Sequence, residues 1–363
     1  MSRLSLLPLL ASLLVFGRDA AAQPAPPSAR PLVRDEGTNP LRGSELVFEQ
    51  SVTTQTAHLD TSAQQSYVPL YELWASLRPR YSFGEHWSVR GRFDLTKELT
   101  NAQQTTYYRE DVFSDLWTDV VCAAKLDSLW RGTKGDVGLR ALWPTSKVSQ
   151  ASGTYVTLGA RAGVSHDFVI RGDGAPWLDS LRLEARFTYL HPFTTATTPT
   201  DYGTFAYTRQ NVDEASFVSD QVQGTTLVAH EVWGTLQAEL QLTPRVSIAS
   251  WLVLVSQWHY PPADSASVAT ATGPVLVSRS GNDTQFTQNT WLLLALRYAL
   301  IDEVDLGLGY YNLANALAPD GQRRGLFGSD NVWWSPDARV FVDVTANLDA
   351  LFDDASGHRY SAR

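Results

Sequence analysis

Residues 340–352 are VFVDVTANLDALF, and every second one from Val340 is apolar: Val340, Val342, Val344, Ala346, Leu348, Ala350 and Phe352. The interleaved set is Phe341, Asp343, Thr345, Asn347, Asp349 and Leu351, with two carboxylates, a hydroxyl and an amide in its middle. Successive side chains of a strand point to opposite faces, so this period predicts one apolar face and one polar-centred face. The alternation outlasts the roughly four to eight residues of an ordinary strand. A lipid-facing barrel strand has that length, because each outward residue meets hydrocarbon and each inward one meets a polar lumen.

Working outward, the same pattern recurs along the chain. Strands are expected at about 45–53, 70–83, 87–99, 116–126, 137–141, 156–165, 181–189, 232–242, 246–258, 292–300 and 304–310, with 340–352 last. Residues 246–258 are apolar on both faces, and no orientation follows for them. About twelve strands result, an even number as in single-chain outer-membrane barrels. Alternate connections are short (Gly84-Glu85, Thr243-Pro244, Asp302-Glu303), whereas most others are long and polar, such as 194–226 and 260–286. That rhythm is the one of periplasmic turns and extracellular loops. Tyr71, Tyr81, Phe83, Trp87, Trp143, Tyr189, Trp258 and Tyr298 fall near strand ends, where two interfacial aromatic girdles would sit. The expected fold is all-β, a transmembrane barrel of about twelve antiparallel strands over 44–352. The competing architecture is a secreted β-sandwich or solenoid, whose strands are ordinarily shorter.

The ends of the chain suit export. A basic start at Arg3, an apolar run over 4–16 and Ala20-Ala21-Ala22 predict a signal peptide of 1–22, too short to cross a bilayer as a helix. Residues 23–43 are proline-rich and aperiodic, a periplasmic lead-in, and 353–363 would form a periplasmic tail. The expected location is therefore the outer membrane of a Gram-negative cell, with outer-membrane lipid as a partner.

Composition narrows the function. The hydrophobic fraction of 44% fits a barrel as well as a soluble protein, since half of each barrel strand is polar. The single cysteine, Cys122, lies on an apolar face and permits no internal disulfide. A net charge of -9 argues against nucleic acid. The histidines His58, His86, His166, His191, His230, His259 and His358 form no metal spacing, and no nucleophile elbow or phosphate loop occurs. No cofactor, metal or catalytic residue is expected, and Gly281-Asn282-Asp283-Thr284 is taken as a solvated loop.

The polar faces bring arginines together. Arg78, Arg80, Arg90, Arg92, Arg140, Arg161, Arg182, Arg186 and Arg297 share the inward set. With Glu72, Asp94, Glu98, Asp115, Asp119, Glu184, Glu239, Asp305, Asp343 and Asp349 they line the expected lumen. Chain direction sets most of the arginines toward the periplasmic half, below an acidic mouth. Two functions follow. A channel would pass small polar or anionic solutes past the arginines. Alternatively, the charges pair and plug a narrow barrel, leaving a structural or surface role with partners at loops 194–226 and 260–286. An outer-membrane hydrolase is a more remote reading.

LWPTSKVSQASGTY at 142–155 resembles the strand-end segment of a group of outer-membrane barrels that includes transporters and phenol-degradation (MetA-pathway) proteins. The resemblance covers about a dozen residues. It implies an outer-membrane barrel with small-molecule transport and transfers no catalytic residue. Such barrels commonly end on an aromatic assembly signal; here Phe352 would take that role, although 353–363 follow it.

Overall fold

The computed structural model describes residues 40–54, 56, 70–100, 109, 111–128, 130–170, 178–197, 226–261, 265–270, 273–278, 285–301, 303–315, 332–335 and 338–348. The expected signal peptide, the tail, Asp349, Phe352 and residues 281–284 lie outside them, as do most of the lead-in and of loop 194–226.

In chain order the elements are β1 (Glu45–Thr53), β2 (Tyr71–Arg78), β3 (Arg80–Phe83), β4 (Trp87–Glu98), β5 (Asp111–Phe113), β6 (Leu116–Lys125) and β7 (Thr133–Trp143). There follow a short helix α1 (Lys147–Ala151), β8 (Thr154–Val169), β9 (Ser180–Thr194), β10 (Val228–Thr243), β11 (Val246–His259), β12 (Ser265–Thr270), β13 (Gly273–Ser278), β14 (Phe286–Ile301), β15 (Val304–Asn315) and β16 (Arg339–Asn347). Proline has no N–H to give a ladder, so Pro79 splits one wall strand into β2 and β3. Both halves pair with β4, and the Pro79 carbonyl still accepts from the Gly91 N–H at 2.8 Å.

Twelve antiparallel wall strands run in the order β1, β2–β3, β4, β6, β7, β8, β9, β10, β11, β14, β15, β16 and close back onto β1. The closing seam has Phe48 opposite Val344 and Glu49 opposite Asp343. A closed sheet leaves no unpaired edge in lipid, which is what lets strands cross a bilayer. Among the described residues no helix is long and apolar enough to do so.

Burial in this molecule is inverted relative to a water-soluble protein. On β16, Val342 and Val344 face outward and are exposed, whereas Phe341, Asp343, Thr345 and Asn347 are buried inside. Leu139, Leu236 and Leu308 are likewise outward and exposed, and Arg161, Asp119 and Asp305 are enclosed. Cys122 lies on the outward face of β6, as its parity predicts. Tyr81, Phe83, Trp87 and Tyr298 ring the outside at the turn end, and Tyr71, Trp143, Tyr189 and Trp258 do so toward the loop end.

Four details differ from the sequence expectation. The last strand is described only to Asn347, where Leu348 leaves the ladder and its N–H reaches the Ser44 carbonyl. Loop 260–286 contains the β12–β13 hairpin. Loop 144–154 contains α1, whose Ser146 side chain caps the helix by accepting from the Ser149 N–H at 3.1 Å. Strand β11, ambiguous in sequence, turns Ser247, Ala249, Trp251, Val253, Val255 and Gln257 inward.

Candidate functional site: the lumen

Strand parity delivers all nine expected arginines to the interior: Arg78 on β2, Arg80 on β3, Arg90 and Arg92 on β4, Arg140 on β7, Arg161 on β8, Arg182 and Arg186 on β9, and Arg297 on β14. Most have a carboxylate at hand. Asp119 takes two bonds from Arg140 at 2.7 and 2.8 Å and one from Arg161 at 3.1 Å. Arg161 also reaches Asp136 at 3.1 Å, Arg92 pairs with Asp94 at 2.7 Å, and Glu184 pairs with both Arg182 and Arg186. Arg78 lies 3.7 Å from Glu45, and Arg297 lies 3.6 Å from Asp343, within ion-pair reach but too long for a good hydrogen bond. Burying a charge without a partner is costly, which accounts for the pairing.

The expected carboxylates Glu72, Asp94, Glu98, Asp119, Glu184, Glu239, Asp305 and Asp343 all belong to inward positions. Glu72 faces Glu98 across the β2–β4 ladder and pairs with Arg339 of β16. Asp115 departs from the lumen set. It lies between β5 and β6, and its carboxylate accepts from the Ser146 N–H at 2.9 Å and the Ser149 hydroxyl at 2.5 Å, which ties α1 to the barrel rim.

The charges also segregate around the circumference, a pattern that chain direction alone did not predict. Arg92 pairs with Asp94 and Lys134 with Asp167. Apart from them, the wall from β3 to β9 holds Arg80, Arg90, Arg140, Arg161, Arg182 and Arg186 against Glu98, Asp119, Asp136 and Glu184. Guanidinium is in excess there, and the Nε atoms of Arg80, Arg90, Arg161 and Arg186 have no hydrogen-bond partner among the described residues. The facing wall, from β14 through β15, β16 and β1 to β2, holds Glu45, Glu49, Glu72, Asp305 and Asp343 against Arg78, Arg297 and Arg339. Carboxylate is in excess on that side.

An apolar layer lies in the same lumen. Trp117 on β6 meets Trp233 on β10 with ring centroids 5.9 Å apart, although three wall strands separate them. Trp233 in turn meets Trp291 at 5.3 Å, and Leu142, Leu190, Val253 and Val255 complete that cluster. A second cluster joins Trp251, Leu293, Ala249, Ala295 and Phe341, with Tyr311 against Phe341. Guanidinium groups cap the rings: Arg92 lies over Trp74 and Trp117, Arg140 over Trp117 at 4.4 Å, and Arg339 over Tyr311. Such stacking keeps a charged group against a ring face in a dry setting.

No protein-family model matches the sequence. No curated protein matches it either. Solved bacterial outer-membrane barrels do match in shape. An outer membrane channel from Pseudomonas putida F1 shares 9% identity, covering 89% of this chain and 99% of its own, with a TM-score of 0.46. The NanC porin shares 10% identity over 84% of this chain and 99% of its own, with a TM-score of 0.39. For the KdgM porin the identity is 7%, the coverage 83% and 98%, and the TM-score 0.36. At this level the likeness is one of fold.

Sequence reasoning missed Glu45, Glu49, Asp136 and Arg339 as lumen charges, and missed the aromatic layer. A signal existed for part of it. Trp74 and Trp117 share parity with Arg78 and Asp119 respectively, so their inward direction was already fixed.

Proposed function

We propose that this protein is an outer-membrane channel, exported through a cleaved signal peptide and passing small polar or anionic solutes by diffusion. The observation that carries this reading is the guanidinium excess on the β3–β9 wall, where the Nε atoms of Arg90, Arg161 and Arg186 have no hydrogen-bond partner among the described residues. Arginine-lined walls lower the electrostatic barrier for anions, and an anion can exchange its hydration shell for guanidinium N–H groups there. The aromatic layer narrows the route and favours small solutes over large ones.

A second reading is favoured by the Trp117–Trp233 contact and the extensive charge pairing. In it the lumen is a packed core, and the loop end, with the β12–β13 hairpin, contacts a surface partner. Planar-bilayer recording separates the two. The channel reading expects anion-selective conductance that falls in Arg90→Gln and Arg186→Gln variants. Silent bilayers from correctly folded protein would leave only the packed barrel.

A further inference from the structure

Two histidines meet on the outer surface of the wall. One rung beyond Glu231 opposite Leu190, the β9–β10 ladder brings His191 beside His230, with ring centroids 5.0 Å apart and planes inclined by 27°. On the flanking strands Leu158 lies opposite His191, and Trp258 lies opposite His230. The row belongs to the loop-end girdle with Tyr189 and Trp258, so the pair stands at the level of headgroups and water rather than in hydrocarbon. His230 is exposed and His191 half-buried.

Each ring is held through one nitrogen. His191 Nδ1 donates to the Ala229 carbonyl at 2.6 Å, and a carbonyl only accepts, so the lone pair of the neutral ring is on Nε2. His230 Nδ1 shares a 2.7 Å bond with the Tyr189 hydroxyl, which can turn to accept. Nε2 of each ring has no hydrogen bond among the described residues. Metal-binding histidines are arranged in this way, one nitrogen fixed by an outer partner and the other left for the ion. The spacing suits a single ion. At a metal–nitrogen distance of about 2.0–2.1 Å, two imidazoles on neighbouring corners of one metal have centres about 4.5–5.2 Å apart.

We infer that His191 and His230 form a two-histidine site for a divalent transition-metal ion on the outer girdle, with water completing its shell. The donors decide the class. Imidazole suits zinc, copper and nickel, whereas calcium and magnesium take oxygen ligands. The outward neighbours Leu158, Tyr189, Phe193 and Trp258 carry no carboxylate, and Glu231 turns inward to Trp233. Among the described residues no third histidine, cysteine or carboxylate joins the pair, which leaves coordination positions open. Linear spacing hid the site because its ligands come from two strands. It is independent of whether the lumen conducts.

The test titrates the intact protein in detergent micelles with copper(II), the highest of these ions in the affinity order, followed by calorimetry and electron paramagnetic resonance. One copper with two nitrogen ligands is expected at this site. His230→Phe and His191→Phe keep a ring in the girdle, and each should weaken that binding by about tenfold or more and lower the nitrogen count. Heat-modifiable migration in gels identifies the folded barrels. If His191→Phe does not fold, His230→Phe alone decides. Copper binding unchanged in folded His230→Phe, or an equal loss in folded His86→Phe at the turn end, overturns the inference.

Discussion

Trp117 and Trp233 meet inside the barrel from strands with three others between them, with ring centroids at 5.9 Å. The contact is a chord across the lumen, so these two rings set its width at their level. Trp117→Ala and Trp233→Ala should each cost roughly 3–5 kcal/mol of stability, the usual cost of emptying a buried tryptophan site. In the channel reading the same variants raise single-channel conductance. Urea unfolding of the folded barrel and bilayer recording check the two effects separately.

Asp119 is the hub of the basic wall, holding Arg140 and Arg161 together. Asp119→Asn leaves Arg140 without its carboxylate and Arg161 with Asp136 alone in a buried setting, and breaking a buried pair typically costs about 3–5 kcal/mol. A midpoint of urea unfolding unchanged from wild type would contradict the assignment.

The outward face has its own prediction. Leu308, exposed on β15, meets hydrocarbon, and Leu308→Arg should cost about 2–4 kcal/mol near the bilayer midplane. At Tyr81 in the turn-end girdle, Tyr81→Arg should cost only about 0–1 kcal/mol for the charge itself. Equal losses at the two positions would argue against the proposed membrane depth.

Cys122 offers a label without mutagenesis. Its side chain is outward on β6, opposite Trp87 on one side and Val137 on the other. A nitroxide attached there should collide with oxygen dissolved in lipid more often than with a water-soluble nickel chelate. The reverse ratio would place β6 with its other face to the lipid.

The fold was legible wherever one face met lipid and the other met charge. Val340, Val342 and Val344 against Phe341, Asp343 and Thr345 suffice to orient β16. Strand β11 was illegible because its inward Trp251, Val253 and Val255 face an apolar layer, which erases the alternation. The arginines were legible as inward by parity, but their partners were not. Arg161 pairs with Asp119 and Arg339 with Glu72 through the stagger of the closed sheet, and no local spacing encodes that. Asp115 had the right parity for the lumen and was drawn away by α1, a helix hidden inside an expected loop.

In the channel reading the guanidinium-rich wall makes this barrel an anion-favouring path. Its most direct measurement is the zero-current potential of the wild-type protein in a planar bilayer under a potassium chloride gradient. A potential displaced toward the chloride equilibrium value is expected. A potential displaced toward that of potassium, or no conductance from a folded barrel, would contradict it.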